Sequence, residues 1–551
     1  MKPTFPKFGY NPVTGEWNDS LKGDYCWSNV NFGEAAPDVM TPSTWSMLWV
    51  YLNVTLPVRI PGDHPTGGNI GWRLYFNLSV ITSLYHKIGV DARHAKWGDM
   101  LGSIPPDLNI PYLPFTLPSM IWYVLPGLIE DRALTWRNGK EFSSYILQLP
   151  KWRQAIRPRI EHCTDAAGLL DLWNESIWPT KLRDLRMLRS ITSLLSEPAT
   201  KLKLDMTALV GEQEANALLS NFSGESGNLE SLGPLVGLAK LKDGRMSREE
   251  YIECYGHRGP HEVELSAPDP SDDPEWLEKK LADFNRSDVD IESLLAKQRA
   301  EFNVAWQRFE ARFPDKSTVF RRRLESITAA AKNREAIRSE FIRQSRFVIR
   351  PFYLQVGKVT GVGEDIFFLA VDEMVALLAG DRSPLGDIPV RRAIYQRYRT
   401  LPPYPAIIYG RFDPFEWAAN PNRRSDFYDS RQTGNAALPS TIKGFAGSAG
   451  CVEGIVRRID RVEDGNQVQP GEILVTSITN IGWTPLFPLL AAIVTDVGAP
   501  LSHAAIVARE MGIPAVVGCG NATMLLKTGD RVRVDGGLGS VEVLTRKGEK
   551  V

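Results

Sequence analysis

Two rhythms of apolar and polar residues divide the chain. From about residue 43 to residue 380, apolar positions recur at helical spacing within long charged runs, most clearly over 152–197, 274–312 and 317–353. This spacing predicts amphipathic helices that each bury one face. After Ser440 the rhythm shortens to β-rich runs at 454–459, 472–476, 491–495, 515–517 and 531–535, alternating with turns and short helical stretches, which predicts an α/β unit. Between the two lies 412–439, rich in Asn, Asp, Pro, Arg and Ser, and it reads as an exposed linker. The expected organisation is a mainly α-helical domain over 1–411, a linker over 412–439 and an α/β domain over 440–551.

Composition narrows the class. The 551 residues are 43% apolar and 23% charged, with a formal charge of −1, so no global field draws the chain toward nucleic acid or anionic lipid. Cys26, Cys163, Cys254, Cys451 and Cys519 show no paired spacing, and the N-terminus has no apolar signal core, so the expected location is the cytoplasm. The longest lightly charged stretch, 103–129, contains Asp107 and six prolines, which argues against a spanning helix.

The strongest chemical signal is a histidine between a strand and a helix. Gly498 and Pro500 break the strand ending near Thr495, and Ile506, Val507 and Met511 begin a helix that Gly512 and Pro514 stop. His503 therefore stands at a helix N-terminus, where free N–H groups and the positive end of the dipole favour negative charge carried by the imidazole. A phosphoryl group meets that description. A hydrolase triad of Asp496, Ser502 and His503 is disfavoured, because adjacent side chains point apart and no Gly-x-Ser-x-Gly elbow is present.

Ser502-His503-Ala-Ala-Ile-Val-Ala-Arg509, followed by Gly512-Ile-Pro-Ala-Val-Val-Gly518, resembles the phosphohistidine swivelling domain of pyruvate phosphate dikinase, phosphoenolpyruvate synthase and rifampin phosphotransferase. Blocks beginning at Gly444, Pro470 and Trp483, and Val534-Asp-Gly-Gly537, are similar to the family's other blocks in the same order. The resemblance implies a C-terminal α/β (β/β/α) phosphohistidine swivelling domain in which His503 accepts a phosphoryl group at one site and delivers it at another, with Ser502 and Arg509 supporting it. Leu501 stands where the dikinases usually have threonine, so regulation through that position is not implied. Shorter blocks at 27–34, 38–45, 71–77, 255–264 and 363–369 resemble the acceptor-binding region of rifampin phosphotransferase-like proteins and make the helical part the substrate domain. Thr41 and Pro42 also read as simple helix punctuation.

A second candidate site is the loop Tyr255-Gly-His-Arg-Gly-Pro-His-Glu-Val-Glu264. Its glycines and proline force a loop that concentrates His257, Arg258, His261 and Glu262. Arg258 is suited to steady a transferring phosphoryl group, and His257 or Glu262 to take a proton from an acceptor hydroxyl. The structural alternative is an Arg–Glu pair bracing a turn. Cys254, His257 and His261 have a spacing open to zinc, but no cysteine pair completes a tetrahedral set. Over 321–350, nine Lys or Arg residues face three Glu. There Arg334 and Arg338 lie one helical turn apart, suited to docking a phosphohistidine or an anionic acceptor, although a solvated basic face explains them equally.

No Gly-x-x-x-x-Gly-Lys-[Ser/Thr] loop occurs, and no nucleotide-grasp region is evident. The resemblance then implies the split arrangement of phenylphosphate synthase: a separate ATP-grasp subunit charges His503 with ATP and Mg²⁺, and the helical domain presents a phenol- or alcohol-type hydroxyl. Two other readings stay open. One is a lyase or dehydratase using the same two domains, and the other a swivelling-domain protein without turnover.

Overall fold

A computed structural model describes residues 9–53, 58–87, 89, 110–219, 232–269, 272–286, 290–421, 423–431, 441–500 and 502–548; Leu501 and the first part of 103–129, up to 109, lie outside them. The N-terminal part is mainly helical. Its long helices Leu125–Glu161, Trp178–Val210 and Pro314–Gln344 pack side by side, with Phe142, Tyr145, Leu149, Met187, Ile191 and Ile337 buried along their seam.

The apolar rhythm locates these helices but not their breaks. The 152–197 run is interrupted after Glu161: Asp165 turns the chain and caps a new helix, Ala166–Leu172, by accepting the Gly168 N–H. Periodicity resumes on both sides of the cap, so the pattern conceals it. The 317–353 run continues through one wide turn, Ser345–Ile349, into Arg350–Thr360.

A five-stranded sheet, Gly67–Ile70, Arg73–Asn77, Cys26–Ser28, Ile407–Tyr409 and Phe427–Asp429 in spatial order, lies within this helical part. Its last strand corrects the linker. Residues 412–431 form the helix Pro414–Ala419, capped by Asp413, and the strand Phe427–Asp429, paired in parallel with Ile407–Tyr409. Phe412 and Trp417 are buried in the main core, and these aromatics outweigh the polar composition that suggested a tether.

The C-terminal part matches the predicted α/β unit closely. Eight strands form one sheet, with Cys451–Arg458, Ile473–Thr476, Ala492–Thr495 and Ala515–Val517 parallel at its centre. Side chains alternate between two cores. Ile473, Val475 and Val494 face one core, while Leu474, Ile493, Ala515 and Val517 face the other together with Ala504, Ala505, Val507, Ala508 and Met511 of the helix His503–Met511.

That second core does not close within the domain. Leu235, Tyr251, Leu277 and Phe284, from the helices Gly233–Lys242, Arg248–Tyr255 and Trp276–Asn285, complete it. These helices form an arm of the N-terminal part laid across the C-terminal domain. Arg286, at the end of the arm, donates to the carbonyls of Asn466 and Val468.

Candidate functional site

His503 begins its helix where the sequence places it. Ser502 is the N-cap: its Oγ accepts the Ala505 N–H, and the left-handed Gly512 ends the helix. The ring is 9% exposed, yet its surroundings are polar. Thr479 Oγ1 lies 3.3 Å from Nδ1 and Thr484 Oγ1 3.2 Å from Nε2, so both ring nitrogens are addressed by hydroxyls of the same domain. Burial, then the cations Arg338 and Arg258, push the imidazole down to about 3, so the ring is neutral. Cations that disfavour an imidazolium favour an anion on the same ring.

Arg338 and Arg258 come from the N-terminal part, and the ring therefore lies at the interface between the two domains. Arg258 and Glu262 occupy a buried loop, Nε and Oε2 being 2.9 Å apart in poor hydrogen-bond alignment. Arg258 Nε and Nη1 and Glu262 Oε2 consequently have no hydrogen-bond partner. Arg334 is paired with Glu335, Nη2 to Oε1 at 2.6 Å, and despite burial the cations Arg334 and Arg338 hold Glu335 down at about 2. Arg338 is among the charges acting on His503, Glu34 and Glu335.

The remaining predicted residues are placed differently. His257 is buried with Nε2 3.0 Å from Ser339 Oγ and Nδ1 unpartnered; burial, then Arg343, Arg258 and Arg153, keeps it well below the usual imidazole range. Arg509 follows His503 by six positions, which turns it to another side of the helix. The ring's hydrogen-bonding partners are Thr479 and Thr484 instead, and burial, against the raising by Glu510, lowers Arg509 to about 10. Asp496 faces Ser425 and Thr523 rather than His503, in keeping with the rejected triad.

Three groups were not singled out from the sequence. Glu34, in the short helix Val30–Ala35 of the N-terminal part, accepts the His503 backbone N–H at 3.0 Å and is raised to about 8 by burial, against the lowering by that hydrogen bond, Arg338 and Arg334. It ends one of the blocks that carry the family resemblance, but nothing local marks it as reactive. Thr484 lies in another such block, whereas Thr479 has no sequence signal.

The 255–264 loop is also a docking element. Pro260 O accepts from Asn480 Nδ2 at 3.0 Å, and His261 bridges Asp38 (2.9 Å) and Glu463 (3.1 Å), which together raise it to about 10. A Cβ on Gly482 would stand 2.8 Å from Pro260 Cβ and 2.9 Å from its Cα, so only glycine allows the two loops to meet this closely. At the loop's far end Glu264 accepts the Thr41 N–H and hydroxyl, and Arg346 ties Asp269 to the carbonyls of Glu264 and Ala267.

Comparison with known proteins finds relatives for parts of the chain. Residues 468–539, which include His503, Thr479 and Thr484, match the family of the PEP-utilising enzyme, mobile domain. An uncharacterized protein of Mycobacterium tuberculosis is 34% identical over 303 residues, covering 53% of this chain and 31% of its own length. The prodigiosin synthesizing transferase PigC of Serratia marcescens is 32% identical over 310 residues, 54% of this chain and 33% of its own. The rifampicin phosphotransferase of Bacillus cereus is 38% identical over 182 residues, 33% of this chain and 19% of its own. The chain thus spans about a fifth to a third of the length of these curated relatives. Residues 468–539 are similar to the PEP-utilising mobile domain, and the chain resembles rifampicin phosphotransferase.

Proposed function

We propose that the chain is a phosphotransferase component in which His503 carries a phosphoryl group to the hydroxyl of a small phenol- or alcohol-type acceptor bound by the helical part. The observation that carries this reading is that His503 stands at the domain interface, its backbone N–H held by Glu34 of the N-terminal part at 3.0 Å and its ring in the field of Arg338 and Arg258. In-line phosphoryl transfer needs positioning and cations on the equatorial oxygens more than covalent help. Arg258, with two unpartnered buried nitrogens, and Arg338 are suited to those oxygens. Thr479 and Thr484 orient the ring, Ser502 holds its helix, and Arg334 keeps Glu335 ionised beside Arg338. His257, Glu262 and Arg509 take supporting places around this centre.

Charging is assigned to a separate ATP-grasp subunit that binds ATP. The Mg²⁺ of this scheme accompanies ATP on that partner. No helix among the described residues is long and apolar enough to cross a membrane.

The test is labelling. The chain mixed with a candidate ATP-grasp partner and ATP labelled at the β- or γ-phosphate is expected to acquire an acid-labile phosphoryl group, and His503→Ala to acquire none. Equal labelling of the two proteins overturns the assignment. Mass spectrometry of the product is expected to show a phosphorylated acceptor.

A further inference from the structure

In the proposed transfer the incoming hydroxyl must give up its proton as it attacks, and the site holds few groups able to take it. His503 in this docked arrangement is held at about 3 by burial, Arg338 and Arg258. Glu335 is held at about 2 by Arg334 and Arg338 despite its burial. His257 is neutral, with Nε2 occupied by Ser339. Glu34 differs from all three. It reaches across the interface, its Oε2 accepts the backbone N–H of His503 itself at 3.0 Å, and it lies in the field of Arg338 and Arg334. Burial lifts it to about 8, near working pH, where a general base is most effective.

Its position is unusual in another respect. The N-terminus of the His503 helix is where an anion is best stabilised, and the anion there is supplied by the other domain. A carboxylate and a phosphoryl dianion repel each other in one such site, whereas a carboxyl group that has just taken a proton does not.

We infer that Glu34 is the residue that takes the acceptor hydroxyl's proton when His503 is docked. This rests on the carrier role proposed for His503. The acceptor oxygen attacks phosphorus, the new O–P bond forms as the P–N bond breaks, and the P–N electron pair returns to the ring nitrogen. The hydroxyl proton passes to a Glu34 carboxylate oxygen and is then handed to that ring nitrogen, which leaves neutral imidazole and Glu34 ionised again. The reach of Glu34 to the His503 backbone fixes its carboxylate within the docked site, so the base is present only while the carrier is in place.

The experiment needs no charging partner. The full chain is phosphorylated chemically with phosphoramidate, His503→Ala serving to identify the signal, and loss of phosphohistidine is followed by ³¹P NMR from pH 5.5 to 9.5 in water, with and without phenol as hydroxyl probe. Glu34→Gln retains an oxygen that can accept the His503 N–H but cannot take a proton. Wild-type loss is expected to rise through a midpoint near pH 8, and Glu34→Gln to be about 100-fold slower at high pH with that rise gone. Glu34→Asp, which keeps the base on a shorter arm, is expected to recover the rise at a reduced rate. An unchanged rate and pH profile in Glu34→Gln overturns the inference and leaves the carrier role standing. Failure of the wild-type protein to label at His503 overturns both.

Discussion

His503, Arg338 and Glu34 form a set in which each alters the others' protonation. Arg338 depresses the imidazole and lowers Glu34 against the effect of burial, and without it both groups would rise. Arg338→Gln is therefore expected to raise the His503 value from about 3 toward the ordinary 6.5, read by NMR titration of the imidazole. The same variant is expected to slow transfer by about 10²–10³-fold, as loss of one preorganised donor does at other charge-developing sites. The two readouts are linked: the cation that leaves the ring unprotonated also compensates the phosphoryl charge. A variant that slows transfer without moving the titration would assign Arg338 to the acceptor instead.

Among the elements, the loop 255–264 and the turn containing Gly482 decide whether the centre assembles at all. Gly482→Ala places a methyl group against Pro260, including its backbone Cα at 2.9 Å, and the loops must separate. The variant is expected to be charged by a partner as well as the wild type, since no charged group changes, but to deliver the phosphoryl group poorly; labelling and product formation measured on the same sample separate the two steps. Much of this element layer was legible in advance. The strands at 515–517 and 531–535 and the helix at His503 fall where alternation, glycine and proline put them, because each is a short unit whose boundaries are local. Arg258, Arg334 and Arg338 were visible as residue types. Glu34 and Thr479 were not, because their roles arise from positions 469 and 24 residues away from His503 in the chain, and no local spacing records such a meeting. The strand Phe427–Asp429 was missed for a similar reason: its partner strand and the core receiving Phe412 and Trp417 are tertiary features, which override a polar composition.

For the whole molecule, docking is linked to pH through Glu34 and His503. An exposed glutamate and histidine titrate near 4.5 and 6.5, and docking moves them to about 8 and about 3. From pH 6.5 to 8 the separated groups hold no proton while docked Glu34 holds one, so docking takes up a proton and weakens by about tenfold per pH unit as pH rises. Between 4.5 and 6.5 each state holds one proton, on His503 when separated and on Glu34 when docked, and docking is insensitive to pH. From 4.5 down to 3 the separated state holds two protons and the docked state one, so docking weakens again as pH falls. The expected result is a plateau at pH 4.5–6.5, measured by energy transfer between dyes on the two domains; Glu34→Gln is expected to abolish the alkaline limb and to move the onset of the acidic limb up from about pH 4.5 to about 6.5.

The arm across the C-terminal domain sets the terms of travel. Trp483, Phe487, Ala508 and Met511 share one oily interior with Leu235, Tyr251 and Phe284, so departure of the carrier wets both surfaces. A destination that offers only charges would not draw it away. Under the proposed carrier role the visiting domain needs a comparably greasy berth at its charging site, and traffic between the stations becomes a contest between two hosts for the same face.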